Sequence, residues 1–128
     1  MRTVLTAVSI CLLQATAAAA ADFKVVDDPE ELRKLYSNKT FRGKSFDGSP
    51  SVAYYRADGK ALWIAGERRI PRTWEIKGRD QVCYEDEVLG RNCVRIQRDA
   101  ANPREILVQQ VGGNWGGFVT VEDGIPKF

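Results

Sequence analysis

The pair Asp58-Gly59 does most to limit what this chain can fold into, because it separates two short runs of extended-chain residues, 52–56 and 61–65. An Asp-Gly pair in that setting is the strongest short-range signal for a β-hairpin, since its central residues must tolerate positive φ. The same rhythm holds from Thr40 to the end. Runs 41–46, 73–77, 81–85, 93–98, 105–111 and 118–121 are divided by stretches containing Gly, Asn, Asp or Pro. In run 73–77 Trp74 and Ile76 alternate with the polar residues Thr73, Glu75 and Lys77, as a strand with one buried face requires. About eight short strands at even spacing predict an all-β body. Successive antiparallel neighbours of this kind curl into a small barrel or stack as a two-layer sandwich.

One helix precedes the strands. Asp28 is placed to accept from the first exposed amides, Pro29 suits the first turn, and Glu30 and Glu31 complement the positive end of the dipole. Leu32, Leu35 and Tyr36 form its apolar stripe, and Ser37-Asn38 ends it. A helix of about two turns is stable only when docked, so it is expected to plug a barrel mouth or cover an edge.

The first residues bear on location. Arg2, an apolar run over residues 4–13 and small residues over 17–21 follow the order of a secretory signal peptide. The apolar run is too short for a transmembrane helix. The expected organisation is a signal peptide at residues 1–21 and one β-barrel-like domain at 22–128, periplasmic or secreted. Arg2 is the only basic residue of the leader and all 17 acidic residues lie beyond it, so the exported part is close to neutral. Nucleic-acid binders gather a basic excess on one face, and none is visible here. The densest basic group (Arg68, Arg69, Arg72) and acidic group (Glu85, Asp86, Glu87) read as solvated turns or edges.

Cys11 leaves with the leader, so Cys83 and Cys93 remain as an even pair in an oxidising compartment, and a disulfide is expected. Val82 and Tyr84 alternate with Cys83, and Val94 and Ile96 with Cys93, which puts the bond on the outer face of a hairpin. Zinc would need four ligands, and the chain has no His.

The order of these motifs has a family likeness. Leu35 to Gly43 (LYSNKTFRG), Tyr54 to Gly59 (YYRADG), Arg72 to Ile76 (RTWEI), Val82-Cys83-Tyr84 and Asn92 to Ile96 (NCVRI) follow one another. Together they resemble a family of small exported proteins, common in alphaproteobacteria, catalogued as a domain of unknown function. The chain departs from that pattern at Asn38-Lys39 and at Thr73, where the family more often has glycine. The resemblance implies a lipocalin-like small barrel in the cell envelope and assigns no activity.

Absence decides much of the chemistry. Without His, the usual general base and the usual metal or haem ligand are missing, and paired cysteines leave no thiolate nucleophile. No catalytic residue, metal ligand or cofactor is assigned. The unusual segment is Gly112 to Phe118 (GGNWGGF), whose Trp115 either inserts into the barrel or is presented to a partner. The candidate binding surface is Trp115, Asn114 and Phe118, with Tyr54 and Trp63 as further aromatic lining; Tyr55 and Trp74 belong to the same set. A non-catalytic envelope binding module is the leading reading, monomeric, taking an apolar small molecule or an envelope protein. The alternatives are an inhibitor of an envelope enzyme such as lysozyme, and a polysaccharide hydrolase built on two converging carboxylates.

Overall fold

The computed structural model describes residues 22–45 and 47–128; the leader expected at residues 1–21 lies outside the described residues. The strands are β1 (Lys24–Val25), β2 (Lys39–Lys44), β3 (Pro50–Tyr55), β4 (Lys60–Ala65), β5 (Arg68–Lys77), β6 (Gln81–Asp86), β7 (Gly90–Arg98), β8 (Glu105–Gln110) and β9 (Gly116–Asp123). From β2 to β9 each strand pairs antiparallel with the next, and β2 also pairs with β9. That last pairing closes an eight-stranded up-and-down barrel, an arrangement that removes free sheet edges. The short β1 lies against β7, with Val25 opposite Gln97, on the stretch of β7 beyond the Gln81↔Arg95 pair at which β6 begins.

The all-β barrel with one N-terminal helix is therefore the architecture, with several boundaries moved. The strand expected at 41–46 is β2, which covers Lys39–Lys44 and stops before residue 46. β5 begins five residues earlier than its Trp-Ile alternation suggests, at Arg68, and runs through Pro71. Only Gly59 of the Asp58-Gly59 pair has positive φ (89°). The hairpin is instead closed by Arg56 donating to the Lys60 carbonyl, a longer loop with glycine at the left-handed position.

The helix α1 (Pro29–Tyr36) has the start its sequence dictates: the Asp28 carboxylate accepts from the Glu30 amide at 3.0 Å. Leu32 and Tyr36 are fully buried in the same core as Phe41, Tyr55, Trp74, Val94, Ile96 and Ile106. Those residues come from strands all round the barrel, so the helix plugs a mouth and Tyr36 hangs into the lumen. The chain then turns at Asn38, which adopts φ 57°, the left-handed region that asparagine tolerates. Its carbonyl accepts from Gly124 and its side-chain oxygen from Ala57. Asn38 thus holds the left-handed turn position between α1 and β2.

Cys83 and Cys93 are bonded. The Cys93 carbonyl accepts from Val111, on the β8 side, which makes Cys83 and Cys93 a non-hydrogen-bonded pair across β6 and β7. Their inward neighbours Val82 and Val94 are in the core, and the cysteines point the other way. Cys83 is nevertheless only 1% exposed.

Candidate functional site

Alternation along the strands decides which side chains enter the lumen. On β3 and β4, Ala53, Tyr55, Ala61 and Trp63 face in. On β5 and β6 the inward set continues through Arg72, Trp74, Val82, Tyr84 and Asp86. Arg72 and Asp86 correct the sequence reading, which placed both in solvated turns or edges. Arg72 Nη2 lies 3.1 Å from Asp86 Oδ2, with side-chain exposures of 9% and 1%. The other Asp86 oxygen accepts from the Val88 and Leu89 amides at 2.8 and 2.7 Å. A carboxylate at a hairpin tip is therefore buried because it organises that tip and neutralises a buried cation. The guanidinium also lies over Trp63 (4.6 Å to the ring centroid) and Tyr84 (5.0 Å).

Beside this pair runs a chain of phenols. The Tyr36 and Tyr84 hydroxyls are hydrogen-bonded to each other. The Tyr55 ring stacks on that of Tyr84, with 5.7 Å between centroids. Burial raises the pKa of all three tyrosines, those of Tyr36 and Tyr84 well above the ordinary phenol value. These side chains and the stacked rings of Tyr36 and Trp74 fill the lumen. The cavity left among Tyr55, Trp63, Arg72 and Val119 holds about 70 Å³. Small-molecule sites are ordinarily about 300–1,000 Å³, so the interior is packed and not a ligand chamber.

Larger clefts lie outside, and two of them exceed 600 Å³. One, of about 790 Å³, opens over β4–β6 and is bordered by Arg56, Lys60, Glu85, Glu87 and the tail residue Phe128. Its charges are of both signs, and several are engaged: Arg56 pairs with Asp58 and donates to the Phe128 carbonyl. The other, of about 660 Å³, lies between the end of β2 and the start of β9. Arg42, Lys44, Trp115, Gly117 and Phe118 border it, and none of its lining residues is acidic.

The candidate surface divides between these places. Trp115 and Phe118 meet in the β2–β9 cleft; Trp115 also packs against the core, and Phe118 is 58% exposed, its ring 5.7 Å from that of Phe23. Asn114 is exposed in the loop just before them. Trp63 belongs to the lumen, under Arg72. Tyr54 is on the outer wall, 6.3 Å from the Phe128 ring. Sequence reasoning missed Arg72, Asp86, Tyr36 and Tyr84 as a group. Arg72 shares the parity of Trp74 and Ile76, a signal that pointed inward once β5 is extended.

Among the described residues no cluster of three or more His, Cys, Asp or Glu side chains is placed to hold a metal ion, and no helix is long and apolar enough to cross a membrane. No family model, curated protein or solved structure matches the chain.

Proposed function

We propose that this protein is an exported, non-catalytic binding module of the bacterial envelope, and that it takes its partner in the cleft between β2 and β9. The observation that carries the reading is the contrast between a lumen with about 70 Å³ free and an exterior cleft of about 660 Å³ lined by Trp115 and Phe118. Aromatic anchors beside an open concavity are the usual centre of a binding surface. The contrast favours a macromolecular partner over an apolar small molecule in the barrel. Export is supported by the leader-like order of residues 1–21, by the resemblance of the motif order to that of an exported family, and by the Cys83–Cys93 bond.

Gly117 provides the test. A side chain built there meets nothing within 4 Å, and its φ lies outside the left-handed region, so Gly117→Val fills the cleft without strain. The processed chain and this variant are immobilised and exposed to fractionated envelope extract. A component retained by the wild type and lost by the variant is the expected result; equal retention, or none, ends the proposal. Inhibition of lysozyme by the wild type but not by the variant would identify the partner as an envelope enzyme. Export is tested separately by the mature N-terminus, expected near Ala21 or Asp22; unprocessed protein with free thiols in the cytosol would overturn it.

A further inference from the structure

The cleft of about 790 Å³ over β4–β6 falls within the range ordinary for small-ligand sites. Strand register fixes the order of side chains across it. Lys60 on β4 stands opposite Thr73 on β5, and Thr73 stands opposite Glu85 on β6. Their neighbours Ala61, Trp74 and Tyr84 are in the core, so alternation turns this row to the outer wall. Neighbouring strands lie about 4.8 Å apart, which sets the Lys60 and Glu85 backbones about 9–10 Å from each other. A cation and a carboxylate thus rise on opposite flanks of Thr73. Glu87, in the turn after β6, adds a second carboxylate to the far flank.

The ion pairs around the cleft leave these three groups over. Arg56, next to Lys60, is taken by Asp58, and Arg91, opposite Glu85 on β7, is taken by Glu75. Arg72 and Asp86, which also border the cleft, neutralise each other. Lys60, Glu85 and Glu87 make no ion pair among the described residues; the Lys60 charge acts on Asp58 at longer range. Between the flanks the lining is neutral, with Ala61, Pro71 and Thr73. The exposed Phe128 ring forms a wall on the cation side, 5.6 Å from the Arg56 guanidinium.

We infer that this cleft binds a short peptide of about three residues with both ends free, laid across the strands. Its carboxylate would meet the Lys60 ammonium, its ammonium would meet Glu85 and Glu87, and an apolar side chain would pack on Phe128 and Pro71. Three extended residues reach about 10 Å, which matches two strand spacings. A simple anion would be repelled by the two carboxylates and a simple cation by Lys60. A neutral apolar molecule would shield all three charges from water without pairing them. A single free amino acid carries both charges, but too close together to reach both flanks. The site is separate from the β2–β9 cleft and stands whether or not that cleft takes a partner.

The probe is the tripeptide Ala-Leu-Ala with free ends, titrated into the processed chain and followed by backbone amide shifts in NMR. Saturable shifts are expected at Thr73, Glu85 and Glu87. Acetylating the amino end or amidating the carboxyl end should each weaken binding about fivefold, the upper worth of an exposed ion pair. Free leucine should not saturate the same shifts. In Lys60→Gln the amidated and free peptides should bind alike; in Glu85→Gln with Glu87→Gln the acetylated and free peptides should. All three positions are exposed, so these variants keep the barrel. Gly117→Val, which fills the other cleft, should bind the peptide as the wild type does. No saturation by about 10 mM peptide, equal binding of leucine, or indifference to blocked ends each overturns the site. Loss of binding in Gly117→Val would place the peptide between β2 and β9, and overturns it as well.

Discussion

Arg72 and Asp86 face each other across β5 and β6 as a closed ion pair on the inner wall of the barrel, 3.1 Å apart. Each is held from a second direction: Arg72 by the rings of Trp63 and Tyr84, Asp86 by two turn amides. The pair thereby ties the β6–β7 hairpin tip to the aromatic lumen.

Removing one partner leaves the other charge in a site that excludes water. Arg72→Met is expected to cost about 3 kcal/mol, in line with broken buried pairs elsewhere. Combining Arg72→Met with Asp86→Asn should cost less than the two single changes added together. Urea unfolding of the four proteins in this cycle measures the coupling; strict additivity would mean that the two charges act independently.

How much of this was legible beforehand follows from what each signal depends on. Alternation of apolar residues and the turn-forming pairs are local, so the strands, the helix at Asp28-Pro29 and the outward disulfide could all be read along the chain. Arg72 could not, because a cation written beside Arg68 and Arg69 looks like surface until a long β5 sets its parity. Its burial also depends on Asp86, fourteen residues away and itself written between two glutamates. The cleft between β2 and β9 was hidden for a different reason. Gly116-Gly117 marked a break in pattern, but whether β2 and β9 meet beyond Arg42↔Thr120 depends on strands far apart in sequence. Trp115 and Phe118 were visible as unusual residues, whereas the cleft they share was not.

The buried phenols predict behaviour in alkali. Tyr36, Tyr55 and Tyr84 have folded pKa values raised chiefly by burial, while in the unfolded chain they return to about 10. Below that unfolded value both states hold the protons and the full stability is present. As pH rises past it, the unfolded state loses protons that the native state keeps, so stability falls. Absorbance titration at high pH should show these three tyrosines ionising together with unfolding. Tyr36→Phe should shallow the loss of stability with pH; an unchanged slope would mean that Tyr36 is not protected from ionisation.

The disulfide closes a short loop, with a sequence separation of 10. Chain entropy alone gives a contribution of about 2.5–3 kcal/mol. Cys83 is almost wholly covered and Cys93 is half-buried, so a mild thiol reductant should reach the native bond slowly and only from the Cys93 side. Cys83→Ala with Cys93→Ser is expected to lower stability by that amount while retaining the barrel's far-UV signature. Reduction of the native protein as fast as that of an open peptide disulfide would contradict the cover over Cys83.

The helix is held by its docking and by its cap, and these contributions separate experimentally. Leu32 is fully buried in the barrel mouth, so Leu32→Ala should cost about 2–5 kcal/mol through lost burial and the cavity left behind. Asp28→Ala removes only the acceptor of the Glu30 amide, a loss of about 1 kcal/mol. The two changes should also differ in reach. Tyr36, at the end of the same helix, is bonded to Tyr84 in the lumen, so loosening α1 at Leu32 should expose the phenol cluster. Leu32→Ala is therefore expected to bring the tyrosine ionisation to lower pH, whereas Asp28→Ala leaves it near the wild-type position. If Leu32→Ala lowered stability without moving that titration, the helix would be a passive lid and not part of the barrel's core.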